Sequence, residues 1–388
     1  MSRPRAELPV PPCAPLRVGI LGGGQLARMT ADAARRLGID TVVIDPEAEA
    51  PAGQVTRQIV GPLRRGEALV ELARQIDVAT LENEFVDLGA LEYLAHHGVM
   101  VRPSIHTFGV ILDKLRQRER MDAAGLGGVP FADVTTQAEV RAFAERHGWP
   151  VVLKTRSQGY DGRGVAIARD AGDLPAAWER LGAGVRPLMA EGFVDFEREV
   201  AVMVVRNAHG EVRAYPVVDT VQEDYVCRVV RAPADVPPEI AAAATDVAVR
   251  AVEAIEGIGV HGVELFVGRD GRVSVNEIAP RPHNSGHYTI DACVTSQFEN
   301  HLRAVVGLPL GPVDMTVPAA VMVNLLATRH GDASELRGGA VRSGDAWVHL
   351  YGKRELRPGR KMGHVTAVGA THEEAERRAN EAARALGL

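Results

Sequence analysis

The sequence predicts a chain of mixed α/β and α+β class built in three parts, on three observations. Apolar strands alternate with helical stretches from Arg17 to Val101, the pattern of a parallel sheet flanked by helices. From Val129 the pattern restarts as a smaller α+β unit around a glycine-dense loop. The second half is strand-rich and carries a hairpin with two glutamates, followed at once by an irregular polar run.

In the first part, the predicted strand 17–21 meets Gly22-Gly23-Gly24-Gln25 and a helix over 26–37. A second strand, 41–44, ends in Asp45. Gly22, Gly24 and Ala27 fit a dinucleotide-binding turn, and Asp45 sits where a ribose-binding acid is expected. Alone, this turn predicts an NAD-dependent oxidoreductase. A helix over 66–75 and strands over 78–81 and 99–101 continue the alternation, with Pro103 closing the unit. Glu82 and Glu84 follow a strand's carboxyl end, where open α/β sheets bind ligands. A solvated or capping acidic pair reads equally well there.

A long amphipathic helix is predicted over 105–124, carrying Lys114. In the second part, a strand over 151–154 leads into TRSQGYDGRG and a returning strand over 165–168. Gly159, Gly162 and Gly164, around Tyr160, Asp161 and Arg163, form a loop whose amides can fold over phosphate oxygens. Lys154 supplies a compact positive charge beside it. A strand over 188–190 runs into Glu191-Gly192-Phe193-Val194, and Glu199 opens the next strand.

In the third part, a helix over 238–256 precedes strands 263–267 and 272–278, joined by Gly268-Arg269-Asp270-Gly271. A four-residue loop sets Glu264 opposite Val275, with Glu277 one diagonal step away on the same face. Two carboxylates at that reach, beside Asn276, suit hard cations such as magnesium, which keeps sites for water and substrate phosphates and so points to ATP. The run APRPHNSGH follows, with Arg281, His283, Asn284 and His287. After a helix over 296–306 come strands 317–325, 347–351 and 363–368 and a final helix over 372–386. The turn 352–362 packs Lys353, Arg354, Arg357, Arg360 and Lys361 into nine residues, a cluster suited to a phosphate on an otherwise acidic chain.

Composition narrows the classes. With 388 residues, two or three domains are possible, and 46% hydrophobic with 4% aromatic residues puts the core on Ala, Val, Leu and Ile. A net charge of −6 argues against a nucleic-acid protein held by bulk electrostatics. Cys13, Cys227 and Cys293 are dispersed, which suggests a reducing cytoplasm with neither zinc nor disulfides. No stretch approaches the ~20 apolar residues that span a bilayer. Residues 1–15 hold five prolines and are expected to be a disordered tail.

NEIAPRPHNSGHYT, with SQGYDGRG upstream and RPGRKMGH downstream, resembles the ATP-grasp family of 5-(carboxyamino)imidazole ribonucleotide synthases, from about Leu16 to the end. The resemblance implies an ATP-grasp fold: a Rossmann-like N-terminal domain over 16–107, a linker helix and lid over 108–190, and a C-terminal α+β domain over 191–388 with a strand-rich terminal subdomain. It implies carboxylation of 5-aminoimidazole ribonucleotide with ATP and bicarbonate, through carboxyphosphate, in purine biosynthesis. Two magnesium ions bound with ATP, a homodimer and a cytoplasmic location come with it. In ATP binding it casts Lys114, Lys154, the loop Gly159–Gly164, Glu191–Val194 at adenine, Glu199 at ribose, and Gln222, Asn276 and Glu277. Many relatives carry a histidine where Gln222 stands, and Tyr225 also departs from the family pattern. Glu264 and Glu277 become metal ligands; Arg281, His283, Asn284 and Lys154 serve the reacting groups. Gln25, Glu82, Glu84, Lys353, Arg360 and Lys361 are expected at the ribonucleotide. A formate-using glycinamide ribonucleotide transformylase, the NAD oxidoreductase and a non-catalytic ATP-binding protein are the alternatives.

Overall fold

The computed structural model describes residues 16–157, 164–182, 184–223, 226–336, 342–343 and 345–386. The first part is a five-stranded parallel sheet of order β3-β2-β1-β4-β5. Its strands are β1 (Arg17–Leu21), β2 (Asp40–Asp45), β3 (Arg57–Val60), β4 (Val78–Leu81) and β5 (Met100–Val101). Helices α1 (Gln25–Arg36), α2 (Glu67–Ala73) and α3 (Leu88–His96) connect them. Strand β3 and helix α3 escape the sequence pattern; in β3 only Ile59 of four residues is buried, too few for a periodic signal.

The predicted helix over 105–124 is two helices, α4 (Ile105–Ile111) and α5 (Lys114–Ala123). Asp113 breaks it by turning extended, and its carboxylate accepts from the Leu115 N–H at 3.0 Å as an N-cap. Arg156 also pairs with that carboxylate, which ties the break to the small unit that follows.

That unit is a four-stranded antiparallel sheet of order β6-β9-β7-β8, made of β6 (Phe131–Val134), β7 (Val151–Thr155), β8 (Val165–Ala168) and β9 (Leu188–Gly192). Helices α6 (Gln137–His147) and α7 (Leu174–Arg180) cover one face, burying Val140, Phe143 and Leu174 against it.

The third part is a ten-stranded antiparallel sheet of order β15-β14-β10-β12-β13-β16-β21-β19-β18, with β11 paired to β10. Its strands are β10 (Phe196–Arg206), β11 (Val212–Ala214), β12 (Val218–Glu223), β13 (Val226–Ala232), β14 (Gly259–Gly268), β15 (Val273–Ala279), β16 (Ala319–Leu326), β18 (Arg342–Ser343), β19 (Ala346–Leu350) and β21 (Lys361–Gly369). The short strands β17 (Gly331–Asp332) and β20 (Glu355–Leu356) pair apart from it. Helix α8 (Pro238–Ala254) packs Ala244, Ala248 and Val252 under β10, β14 and β15, while α11 (His372–Ala385) covers β16 and β21. After α9 (Thr289–Ala292), helix α10 (Gln297–Val306) leaves its own sheet and buries Leu302, Val305 and Val306 against Val18, Ile20 and Ala34 of the first part. The first and third parts therefore share a core.

The key hairpin differs from expectation in one useful way. Gly268 N–H bonds the Arg272 carbonyl at 2.9 Å, so the loop is the three residues Arg269-Asp270-Gly271, with Gly271 at φ 77°. Leu265, and not Glu264, then faces Val275. A bulge at Asn276 shifts the register by one, and Glu264 comes to lie directly opposite Glu277. Among the described residues no helix is long and apolar enough to cross a membrane.

Candidate active site

Between the small sheet and the ten-stranded sheet lies a cleft of about 1110 Å³. Helix α5 closes one side. Alternation along β14 and β15 aims Glu264 and Glu277 into it, and the bulge makes them immediate neighbours. Their electrostatics are opposed. Burial and the adjacent Glu277 and Glu199 carboxylates push the Glu264 carboxyl up to about 7. Burial also opposes ionisation of Glu277, but Lys114, whose Nζ sits 2.6 Å from Oε1, outweighs it and holds that carboxyl below its ordinary range. Burial raises Glu199, which lines the same wall.

On the opposite wall, Glu191 is buried in β9 and accepts from two cations, Arg118 Nε at 2.6 Å and Lys154 Nζ at 2.7 Å. Burial works against its charge, yet the pair wins and the carboxyl falls to about 2. Burial lowers Lys154, with Glu191 opposing. Arg118 reaches further: it donates to the Val275 carbonyl and, at 2.9 Å, to the Asn276 carbonyl, the two residues that form the bulge. Its neighbour Gln117 accepts from the Ile278 N–H at 3.2 Å. Lys114, Gln117 and Arg118 stand at i, i+3 and i+4, so one face of α5 holds the middle of the outer margin of β15. Sequence reasoning singled out Lys114 and missed Gln117 and Arg118, although that spacing was there to find.

The run after β15 closes the end of the cleft. Arg281 makes a two-point contact with Glu84, Nε to Oε1 at 2.9 Å and Nη2 to Oε2 at 3.1 Å, across 197 residues of chain. His283 Nε2 lies 3.6 Å from Glu264 Oε1. Burial and the nearby Arg281 charge push that imidazole down to about 3, so it stands neutral. Asn284 Nδ2 is buried, and its neighbour is the weak sulfur acceptor of the cleft-lining Cys227. A thiol is a poor acceptor, so this donor keeps capacity for a stronger, anionic one.

The fold thus brings Lys114, Lys154, Glu191, Gly192, Phe193, Val194, Glu199, Gln222, Glu264, Asn276, Glu277, Arg281, His283 and Asn284 to one cleft, together with Glu84 and Lys361. Phe196 and Phe266, stacked at 4.5 Å, add an apolar wall that the sequence did not single out. Gly164 stands at φ 90° and accepts from Thr155 through its carbonyl at 2.8 Å. Gly159, Tyr160, Asp161, Gly162, Arg163 and Tyr225 lie outside the described residues, as does the tail 1–15.

Gln25, Glu82, Lys353 and Arg360 do not line this cleft. Gln25 opens α1. Glu82 is buried, and its carboxylate accepts from the Gly24 N–H at 2.7 Å and the Leu26 N–H at 3.2 Å. Asp45 accepts from the Gly23 N–H at 2.7 Å. The glycine turn therefore has its amides occupied by its own acids, which leaves no cradle for a dinucleotide pyrophosphate. Lys353 donates to the Lys361 carbonyl at 2.8 Å, and burial with the neighbouring Arg360 charge lowers it to about 8. Arg360 donates to the Glu355 carbonyl at 3.2 Å. This basic turn docks on the first part through Gln54, which donates to the Gly352 carbonyl at 2.7 Å and accepts from Arg28 at 2.8 Å.

As a donor set, Glu264 and Glu277 fit a hard cation: two facing carboxylates with an amide beside them. Among the described residues no group of three or more His, Cys, Asp or Glu is arranged to hold a metal alone. A cation here would take its remaining oxygens from substrate and water.

Three sequence families match consecutive stretches of the chain. A ribonucleotide synthetase preATP-grasp domain matches 16–112, an ATP-grasp domain 119–298, and a phosphoribosylaminoimidazole carboxylase C-terminal domain 320–378. The N5-carboxyaminoimidazole ribonucleotide synthase of Mycobacterium tuberculosis H37Rv is 45% identical over 364 residues, covering 92% of this chain and 84% of its own. The phosphoribosylaminoimidazole carboxylase of Schizosaccharomyces pombe is 43% identical over 370 residues. That alignment covers 93% of this chain but only 66% of the yeast protein, so the chain spans about two thirds of its length. The crystal structure of N5-carboxyaminoimidazole synthase from Aspergillus clavatus, in complex with ADP and 5-aminoimidazole ribonucleotide, superposes with a TM-score of 0.87 at 37% identity, covering 96% of this chain and 98% of that one.

Proposed function

The chain belongs to the N5-carboxyaminoimidazole ribonucleotide synthase family of ATP-grasp enzymes, and on that premise we propose that it carboxylates 5-aminoimidazole ribonucleotide with ATP and bicarbonate. The observation that carries the reading is one cleft holding a facing carboxylate pair, three lysines and the Arg281-His283-Asn284 group. Phosphoryl transfer needs positioning and charge neutralisation more than covalent chemistry, and this set is equipped for both.

A bicarbonate oxygen attacks the γ-phosphorus, ADP leaves, and carboxyphosphate results. The exocyclic amine of the ribonucleotide then takes the carboxyl carbon, directly or after carbon dioxide is released, as the C–O bond to phosphate breaks and the amine gives up a proton to the departing phosphate. Lys154 and Lys114 stand where the phosphates' charge must be balanced, once ATP draws them from Glu191 and Glu277. Magnesium held by Glu264, Glu277 and Asn276, as one ion or two, would supply charge neutralisation at the phosphates. Arg281, neutral His283 and the Asn284 amide supply donors for bicarbonate and carboxyphosphate. Glu84, Lys361, Lys353 and Arg360 would hold the ribonucleotide, its 5′-phosphate toward the basic turn. Glu82 and Gln25 would act from behind the glycine turn. A homodimer working in a reducing cytoplasm completes the proposal, the latter supported by dispersed cysteines.

The test is ADP release with ATP, magnesium and bicarbonate, with and without 5-aminoimidazole ribonucleotide. Release that depends on both co-substrates is the expected result. Release that instead follows formate and glycinamide ribonucleotide would move the chain to the transformylase reading.

A further inference from the structure

His283 caps and Asn284 opens a short 3-10 turn beyond the last strand pairing of β15; the turn packs on β10 and β13, and no ladder hydrogen bond reaches it. The side-chain amide that ties the turn to the core is that of Gln297, the first residue of α10, fully buried. Its Oε1 accepts from the His283 N–H at 2.9 Å, and its Nε2 donates to the His283 carbonyl at 2.7 Å. The amide thus imitates a neighbouring strand, meeting both main-chain groups of one residue. The same Nε2 lies 3.2 Å from His287 Nδ1.

These contacts fix one another. The His283 N–H can only donate and its carbonyl only accept, so the amide has one orientation. Nε2 then faces His287 Nδ1 as a donor, which requires an unprotonated nitrogen there. Burial and the adjacent His283 push the His287 imidazole well below its ordinary range, in keeping with a neutral ring. The packing allows little play. A Cβ on Gly262 would fall 2.4 Å from His283 Cβ, and one on Gly286 would fall 2.3 Å from Gln297 Oε1. His283 is thereby pressed between β14 and the amide, with its ring toward Glu264.

We propose that Gln297 is a positioning residue that holds His283 and Asn284 against the reacting carboxyl group, and that its loss uncouples ATP consumption from carboxylation. The inference rests on the function proposed above. With the loop displaced, carboxyphosphate still forms but is exposed to water, which converts it to bicarbonate and phosphate. Each such event releases ADP without product.

The experiment compares the full chain with Gln297→Met and Gln297→Glu, measuring ADP and carboxylated ribonucleotide in the same reaction. Gln297→Glu keeps the size and the acceptor for the His283 N–H but sets a carboxylate oxygen against the His283 carbonyl, so it reports even where Gln297→Met folds poorly. Wild type should give about one ADP per product, and both variants a ratio raised about threefold or more, with the KM for ATP within about twofold of wild type. Ser296→Ala is the control. Its Oγ caps the same helix by accepting from the Glu299 N–H at 3.2 Å, so its loss should lower Tm by a few degrees, on the order of 2–4 °C, and leave the ratio unchanged. Lower Tm and kcat in the Gln297 variants with the ratio still near one would overturn the proposal and make Gln297 a packing residue. Absence of bicarbonate- and ribonucleotide-dependent ADP release from wild type would overturn the function instead, and this inference with it.

Discussion

The glycine turn at Gly22–Gln25 and the hairpin carrying Glu264 and Glu277 both place carboxylates beside a sheet's working end, yet they do opposite things. In the turn, Asp45 and Glu82 are consumed by the backbone amides of Gly23, Gly24 and Leu26. In the hairpin, two carboxylates are forced together while Lys114 pairs with Glu277 alone, and Glu264 is left with its charge disfavoured. An acid whose hydrogen bonds are complete within the chain is structural. Burial raises the Glu82 carboxyl as well, so the difference is in hydrogen bonding: backbone amides satisfy Glu82, whereas Glu264 faces the cleft. The turn's acids therefore brace its own backbone, while the hairpin's pair faces the cleft on which the proposed function rests.

The contrast can be broken most sharply at Glu277. Glu277→Gln should reduce ATP-dependent turnover by about a hundredfold or more while shifting stability by under ~1 kcal/mol, because the group is partly solvated. Steady-state ADP release at saturating magnesium, paired with a urea titration, checks both halves. Unchanged turnover would put the hairpin on the scaffold side. At the basic turn, Arg360→Ala should raise the ribonucleotide KM about tenfold to a hundredfold and leave the ATP KM near wild type. A dephosphorylated nucleoside should bind wild type and variant alike; if it loses affinity equally, the turn is structural.

Glu82→Gln should show the reverse signature. One of two buried N–H groups loses its acceptor, at a cost of about 1–3 kcal/mol in unfolding free energy, with the KM for ATP unaltered. The smallest effect is a pH dependence at Lys353. Its lowered pKa of about 8 means the ammonium is present below that value and lost as pH rises through it. Affinity for a phosphate should therefore weaken on going from pH 7 to pH 9, by at most about tenfold. Lys353→Arg, which keeps its charge, should flatten the curve of ribonucleotide KM against pH.

Much of this was legible before the coordinates. The parallel sheet, the small antiparallel unit and the strand-rich end follow from alternation and punctuation, and β1, β4 and β8 fall where their apolar runs place them. Part of the cleft was legible too, since Asn276, Glu277, Arg281, His283 and Asn284 come from one motif. What failed has specific causes. The register at Glu264 turned on a bulge at Asn276, which depends on side chains from α5 and leaves no mark in the hairpin itself. The break at Asp113 is a capping event inside a continuous amphipathic pattern. Arg118 and Gln297 act on main-chain groups far away in sequence, and a buried arginine or glutamine looks the same on paper as an exposed one.

Strand β15 is the last of the ten-stranded sheet, and a terminal strand ordinarily offers its free N–H and C=O groups to any passing chain. Here Arg118 takes the Val275 and Asn276 carbonyls, and Gln117 takes the Ile278 amide. Side chains of α5 thus occupy the middle of that margin, where they hinder strand addition. A helix that guarded the margin in any other way would have to cover the strand, and Glu277 with it. Protection from self-association and access to the carboxylates are thus reconciled by one row of long polar side chains.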